Sequence, residues 1–334
     1  MRKGGRWLAG RSAIALPRRA KPFYTSVMAA LLLRRLLTGL PTLFLVVLLT
    51  FLLTRCAPGG PFDGERALDP ATRAALAARY GLDLPLWEQF VRYVAGLAHG
   101  DFGPSMVYTD FTVGALIAAG LPVSLMVGGL ALLLAIAGGV PLGMAAAWHP
   151  DGLADRATGI AATLLNALPS FVTAPLLALV FGLWLGWLPI SGWRAGQPQA
   201  LVLPAVALAL PTMGAVARLT RAGLADTLRQ DFIRTARARG LSPSVILRRH
   251  ALRPSLAPVV SYLGPAAAGL LTGAVVIETV FGLPGLGRYF VQGALNRDYP
   301  LVMGVVILYA ALILLFNLLA DLLYGWLDPR VRAQ

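Results

Sequence analysis

Lysine is almost absent from this sequence of 334 residues. Only Lys3 and Lys21 occur, and both lie near the N-terminus. A phosphate-binding P-loop requires a lysine directly after its glycines. The chain has no position for such a loop, so we expect that it is not an enzyme that hydrolyses ATP by this route.

Cysteine and histidine are also scarce. The one cysteine excludes an internal disulfide, and the three histidines, His99, His149 and His250, fall in separate polar segments. No spacing typical of a Cys/His metal site is present, so we expect neither a metal nor a cofactor on this chain. An intramembrane enzyme would need a nucleophile and a base at the same depth, and no histidine meets that requirement.

Charged residues make up only 13% of the chain, against about 25% in soluble domains, while hydrophobic residues make up 57%. A helix needs about 20 apolar residues to cross the hydrocarbon core of a bilayer. The apolar runs that are long enough cover residues 36–54, 120–147, 157–187, 200–220, 257–281 and 302–326. The sequence therefore predicts an all-α, polytopic membrane protein with six transmembrane helices.

Basic residues are unevenly distributed between the connections. If the runs cross the membrane in alternation, 21 of the 29 Lys and Arg residues fall on one side. Cytoplasmic loops carry an excess of Lys and Arg. We therefore expect both termini and the loop 221–254 in the cytoplasm, and we interpret the net charge of +14 as a determinant of orientation rather than as a nucleic-acid-binding surface.

The runs and connections divide the chain into five segments. These are a basic and disordered tail (1–27), a first transmembrane helix (28–54), a periplasmic helical segment (55–112), a five-helix transmembrane core that includes the loop 221–254 (113–327), and a C-terminal tail (328–334). Within the periplasmic segment, Asp69 and Pro70 predict the start of a helix and Gly81 its end. A second, amphipathic helix is predicted to follow Asp83 and Pro85.

The stretch "DFIRTARARGLSPSVILRRH", which begins at Asp231, is densely basic although it separates two apolar runs. Its pattern predicts two helices joined by a sharp turn. A helix over 221–239 would continue the fourth span and end at Gly240, which takes the left-handed conformation at low cost. Ser242 is a preferred N-cap and Pro243 a preferred first helical residue, so a second helix is predicted to start there.

Four stretches of the chain resemble one family of membrane proteins. They are "GLDLPLWEQFVRYVAGLAHGDFGPS" (81–105), "DFIRTARARGLS" (231–242), "IETVFGLPGLG" (277–287) and "DLLYGWLDPRVR" (321–332). In this order they resemble the permease subunit of bacterial ABC importers, in the dipeptide, oligopeptide and nickel branch. The family's general cytoplasmic signature is matched here only at Ala236, Gly240 and Leu252. The peptide branch carries Arg-Thr-Ala at its start, as this chain does from Arg234.

The resemblance, which covers residues 32–332, implies a type I ABC importer permease fold in the bacterial inner membrane. It implies a second homologous permease, two ABC ATPase subunits that bind ATP and Mg, and an extracytoplasmic substrate-binding protein as partners. The implied cargo is a di- or oligopeptide, with nickel complexes or glutathione as alternatives. The short cytoplasmic helix would fit a cleft in the ATPase.

The resemblance also implies a set of residues that couple the permease to the ATPase. They are Asp231, Arg234, Thr235, Ala236, Gly240, Ser242, Pro243, Val245, Ile246, Arg248 and Arg249. Among them, Val245 and Ile246, together with Leu247, are expected to be available for contact with the partner.

Two carboxylates, Glu278 and Asp321, lie in or beside apolar runs near opposite ends. Charges within membranes are costly and usually functional. We expect either a hydrogen-bonded structural role at a span end or a position along the transport path. A self-sufficient secondary transporter would require an inverted repeat or a buried ion-binding cluster, and neither is visible in the sequence.

Overall fold

The computed structural model describes residues 21–57, 69–193 and 197–327, without the side chains of 21–31, 70, 73, 76, 79 and 324–327. The predicted tails up to residue 20 and from residue 328, and part of the predicted periplasmic segment, lie outside the described residues. The described part is helical and contains no β-strand, as the all-α prediction requires.

The helices follow one another with short connections. They are α1 (Lys21–Cys56), α2 (Pro70–Arg79), α3 (Leu86–Ala98), α4 (Val113–Trp148), α5 (Leu153–Ala167), α6 (Ser170–Leu177), α7 (Val202–Leu228), α8 (Asp231–Ala238), α9 (Pro243–Val245), α10 (Leu252–Ser255), α11 (Ala257–Val280), α12 (Leu286–Leu295) and α13 (Tyr299–Leu327). Wider π-helical turns extend α6 over Ala178–Trp184 and join α9 to α10 over Ile246–Ala251, and a 3-10 turn over Pro198–Leu201 precedes α7.

Five of the described helices are long and apolar enough to cross a bilayer, and a bent pair is the sixth candidate. The predicted continuous span 157–187 is this pair, because α5 and α6 meet at an angle of 99°. Leu168 between them is extended (φ −84°, ψ 116°), since a residue before a proline is disfavoured in the helical region and Pro169 follows.

Residues 21–27 are helical and belong to α1, so the predicted disordered tail over 1–27 is wrong for residues 21–27. Pro22 lies at the N-terminal limit of the described residues. The next glycine or proline is Gly39. Nothing in this stretch therefore interrupts a helix, although its apolar periodicity is weak.

Helix α7 is the most deeply buried of the spans and crosses α4 at very close range. Gly143 of α4 lies against the carbonyl oxygen of Ala217, and a Cβ atom built on Gly143 would also come within 2.6 Å of the Cβ atom of Thr220. Small residues let two helical backbones approach in this way. The α4–α7 contact is thus the centre around which the other spans are arranged.

The bundle has two chemically different ends. At one end, which we call the basic end, the last turns of α4 and α7 pack against α8 and residues 246–251. At the opposite end, the Oγ1 atom of Thr54 on α1 lies 3.3 Å from the sulfur of Met303 on α13. Helix α3 also packs there, with the ring of Phe90 5.3 Å from the ring of Phe51. The apolar side of the amphipathic helix α3 thus packs, through Phe90, on the end of a span.

Candidate functional site

The basic end begins with a break in the helix that leaves the bundle. The single helix predicted over 221–239 is wrong, because Gln230 is extended (φ −71°, ψ 151°) and separates α7 from α8. The break turns α8 so that Ile233 and Ala236, which are 0% and 5% exposed, pack with Leu224 of α7. A straight continuation would carry these two apolar side chains away from the bundle.

The turn after α8 has the geometry predicted for Gly240, whose φ is +75°. The amide of Leu241 donates to the carbonyl of Ala236 at 3.3 Å, and the amide of Gly240 donates to the carbonyl of Arg237 at 2.9 Å. These two bonds form a Schellman motif, which satisfies the last carbonyls of a helix and requires a left-handed residue. Helix α8 therefore ends at a fixed angle.

The second helix starts at Pro243, as predicted. The carbonyl of Ser242 accepts hydrogen bonds from the amides of Val245 and Ile246, both at 3.0 Å. The Ser242 side chain makes no capping hydrogen bond, so only its extended backbone serves as the cap. The segment widens to a π-helix over Ile246–Ala251, and this wide turn lets the first and last of its residues both face inward.

A buried apolar cluster holds these pieces to the bundle, and we call it the basal cluster. Its members are Ala147, Leu224, Ile233, Ala236, Ile246 and Ala251. The prediction that Ile246 is available to a partner is wrong, because only 4% of it is exposed. Ala236 also faces inward, while Val245 is half-buried. These residues fix α8 and 243–255 as one unit with α7.

The outward side of this unit is basic with two apolar contacts, and we call it the docking surface. Its exposed members are Phe232, Arg234, Arg237, Arg239, Leu241, Ser242, Pro243, Arg248 and Arg249. Phe232 and Leu241 are 45% and 37% exposed. Sequence reasoning missed both, although a large apolar side chain beside the inward Ile233 was a detectable signal.

Asp231 and Thr235 are exposed as well, and both make local contacts. The Asp231 carboxylate lies 3.3 Å from the guanidinium of Arg234. The Thr235 hydroxyl donates to the Asp231 carbonyl at 3.0 Å. Both contacts lie within α8 and support its first turn.

An ion pair beside the basal cluster was not predicted. Arg221 of α7 donates from Nε and Nη2 to the two carboxylate oxygens of Asp155 on α5, at 2.8 Å and 2.7 Å. Asp155 is 8% exposed and also accepts the amide of Asp151 at 3.0 Å. Such two-point pairing fixes orientation as well as distance. It joins the connection between α4 and α5 to the helix that carries the docking surface.

Glu278 and Asp321 lie outside the docking surface. Glu278 is fully buried at the opposite end, where its Oε2 accepts the amide of Gly287 at 2.7 Å. The amide of Leu286 donates to Ser124 at 2.9 Å. The carboxylate thus meets the N-terminus of α12, where negative charge is favourable. Asp321 forms an ion pair with Arg35, which ties α13 to α1.

Asp298 organises the opposite end and was also missed by sequence reasoning. It is fully buried. Its carboxylate accepts the Ser105 hydroxyl and the amides of Met106, Val107 and Leu301, the amides at 3.2 to 3.3 Å. Asp298 precedes α13 in the order Asp-Tyr-Pro, which is a recognisable helix-start signal. Among the described residues, no group of three or more His, Cys, Asp or Glu side chains could hold a metal ion.

The family model and the similar proteins all indicate the same family. The family model described as binding-protein-dependent transport system inner membrane component matches residues 139–333. The chain is 49% identical over 311 residues to the oligopeptide transport system permease protein OppB of Salmonella typhimurium, covering 91% of this chain and 100% of that one. It is 40% identical to the dipeptide transport system permease protein DppB of Bacillus subtilis, covering 91% and 98%.

Solved structures support the fold. An inward-facing crystal structure of the MetNI methionine ABC transporter superposes with a TM-score of 0.54 at 18% identity, covering 64% of this chain and 96% of that one. A crystal structure of an amino acid ABC transporter gives a TM-score of 0.50 at 18% identity, covering 63% and 93%. At this identity the likeness concerns the arrangement of helices alone.

Proposed function

This chain belongs to the family of inner membrane components of binding-protein-dependent transport systems, and we propose that it is the permease subunit of an ATP-driven importer of oligo- or dipeptides. It is a multi-pass membrane protein. Its function as an importer subunit implies ATPase and substrate-binding partners. The resemblance that the four sequence stretches indicated is therefore confirmed at the level of the family.

One observation carries the choice of cargo. Relatives that are 49% and 40% identical over nearly the whole chain are named for oligopeptide and dipeptide transport. A permease with this much sequence identity to both groups is expected to move peptides of similar size. Nickel complexes and glutathione are the competing cargoes to test.

The proposal assigns ATPase contact to the docking surface. Its arginines supply charge, and Phe232 and Leu241 supply apolar contacts that a groove on a partner would bury. Such mixed surfaces, with aromatic and arginine residues, are typical of protein interfaces. We place this surface in the cytoplasm with both termini, because most arginines lie on its side of the membrane. ATP and Mg would be bound by the partners.

The structure suggests how movement would reach the spans. Because Ile233 and Ile246 are buried with Leu224, a force on the docking surface would displace α8, residues 243–255 and the end of α7 together. The Asp155–Arg221 pair would pass the displacement to α5. A packed interior transmits such displacements because it has little free volume. The pore would be formed with a second homologous permease.

Uptake by the purified complex tests the cargo. The permease, purified from its native host with its partners, is placed in proteoliposomes that contain ATP, with the binding protein outside. We expect uptake of radiolabelled trialanine that unlabelled dialanine or trialanine inhibits and that glutathione or a nickel–histidine complex does not. Uptake of nickel or glutathione without peptide uptake would contradict the proposal, as would peptide uptake independent of ATP.

A further inference from the structure

A cavity of about 330 Å³ opens at the end opposite the docking surface. It lies between α1, α3, residues 102–106 and the start of α13. Its volume falls in the range of small-molecule sites. Part of its wall is apolar, formed by side chains that include Leu84, Phe102, Met106 and Met303.

Three polar groups on residues that line this cavity are buried without a hydrogen-bond partner. They are Nε of Arg55, the hydroxyl of Tyr93 and Oε1 of Gln89. Buried polar atoms in folded proteins nearly always have partners, so each exception calls for an explanation. The unpartnered atoms on residues that line this cavity are two donors, on Arg55 and Tyr93, and one acceptor, on Gln89.

Two hydrogen bonds fix the orientation of the Gln89 side-chain amide. Gln89 is 9% exposed, and its amide nitrogen donates to the carbonyls of Leu82 and Leu84 at 3.3 Å and 2.7 Å. Because the nitrogen is occupied, the identity of the other atom as the acceptor is fixed. That acceptor therefore requires an N–H or O–H group from something that enters the cavity.

The charge around the cavity favours an anion. Two of the described lining residues are arginines, and none is acidic. Arg92 is engaged by Glu88, with 2.7 Å between Nη2 and Oε1. The guanidinium of Arg55 lies 5.4 Å from the centre of the Phe51 ring, a contact that orients it. Burial raises the pKa of the Tyr93 phenol, so its hydroxyl stays protonated and able to donate.

We propose that this cavity is a subsite for the C-terminal residue of a peptide. The carboxylate would bind Arg55 and the Tyr93 hydroxyl, the N–H of the last peptide bond would donate to Oε1 of Gln89, and the side chain would pack on Leu84 and Met303. A C-terminal peptide residue supplies an anionic acceptor and a neutral donor close together, which is the complement of these three atoms. This inference rests on the proposed peptide cargo and adds a place on the permease itself that recognises it.

The test is saturation-transfer NMR on the complete transporter in phosphatidylcholine nanodiscs, without binding protein. The probes are trialanine and its C-terminal carboxamide. For the wild type we expect transfer to the C-terminal methyl group of trialanine and at least fivefold less transfer to the carboxamide. Arg55→Gln should reduce the trialanine signal about fivefold, and Tyr93→Phe should reduce it at least twofold while removing only one unpartnered atom.

Arg288→Gln is the matched control, because Arg288 is an exposed arginine at the same end and lies outside this cavity. It should leave the signal unchanged. ATP-driven uptake is measured on the same preparations. If the wild type takes up trialanine but shows no transfer, or if Arg55→Gln and Tyr93→Phe both retain the full signal, this subsite is wrong and the transport function stands. Loss of the wild-type signal when phosphatidylglycerol is added would assign the cavity to a lipid headgroup instead.

Discussion

Ile246 and Leu241 are large aliphatic residues five positions apart with opposite surroundings. Ile246 is 4% exposed in the basal cluster, while Leu241 is 37% exposed on the docking surface. Ile246→Ala should destabilise the permease by about 2–5 kcal/mol, because buried methyl groups are lost and a cavity remains. Leu241→Ala should leave stability nearly unchanged and weaken ATPase association.

Thermal unfolding of the solubilised permease and recovery of ATPase subunits on purification separate the two effects. Equal loss of stability in both variants would contradict the assignment of inward and outward sides.

The Asp155–Arg221 pair makes a second prediction at this scale. Asp155→Asn and Arg221→Gln should each reduce the peptide transported per ATP hydrolysed, because each removes the two-point link between α5 and α7. Residues in direct contact are not additive. The double variant should therefore lose less than the sum of the two single losses, as measured in a double-mutant cycle on the transport ratio. Strict additivity would show that the two side chains act independently.

The local sequence predicts the structural position of some residues and not of others. Gly240 and Pro243 were identified correctly because backbone rules for helix ends depend only on local sequence. The inward position of Ile233 and Ala236 depends on the break at Gln230, and no glycine or proline adjoins that break in the sequence. It follows instead from packing on Leu224, which is a tertiary contact that overrides local helix preference.

At the scale of helices, the α4–α7 crossing depends on the absence of a side chain. A Cβ atom on Gly143 would overlap the carbonyl of Ala217, whereas a Cβ atom on Gly129 of the same helix would meet nothing within 4 Å. Gly143→Ala should separate α4 from α7 and lower the unfolding temperature. Gly129→Ala should be neutral or stabilising by up to about 1 kcal/mol, since alanine favours helix over glycine.

The pair of glycine variants is compared by the temperature at which half of the solubilised permease aggregates. This comparison keeps the substitution and the helix the same and changes the atoms that the new Cβ would meet. An unfolding temperature for Gly143→Ala equal to that of the wild type would mean that the crossing is looser than described.

Apolar run length predicted the spans well, because it depends on composition alone. The direction in which a helix runs through the bundle is harder to predict than its position in the sequence. The run 157–187 is long enough for a span, yet it bends by 99° before Pro169. The rule that residues before proline leave the helical region gives the place of such a bend. The angle follows from packing against α7, which the sequence pattern does not contain.

At the scale of the whole molecule, we assign ATPase contact to the basic end and peptide contact to the opposite end. This assignment requires one orientation in the membrane, which can be tested directly. Trp87 and Arg237 are exposed at the opposite end and the basic end respectively. In a background where Cys56 is replaced, a cysteine at position 87 should react with an impermeant maleimide in intact spheroplasts. A cysteine at position 237 should react only after the membrane is permeabilised, because the positive-inside rule places it in the cytoplasm. Reaction of position 237 from outside would reverse the topology.

Packed helices join the two ends, and no chain of buried charges runs between them in the described part of the molecule. The docking surface is fixed to α7 by the basal cluster, and the opposite end is organised by Asp298 and Glu278 through amide hydrogen bonds. This arrangement suits a subunit in which ATPase movement at the docking surface opens the transport path at the other end. The turn at Gly240 sets the angle at which the docking surface would meet the ATPase.

The most direct test of this account measures ATP hydrolysis and trialanine uptake in the same proteoliposomes with Gly240→Val. Gly240 has φ +75°, and a Cβ atom built there meets nothing within 4 Å, so the main effect expected of valine is backbone strain of about 1–2 kcal/mol. Gly240→Asn is the control, because asparagine tolerates this conformation. We predict normal insertion for both, near wild-type coupling for Gly240→Asn, and several-fold less uptake per ATP for Gly240→Val. A wild-type ratio of uptake to hydrolysis in Gly240→Val would contradict the coupling role of this turn.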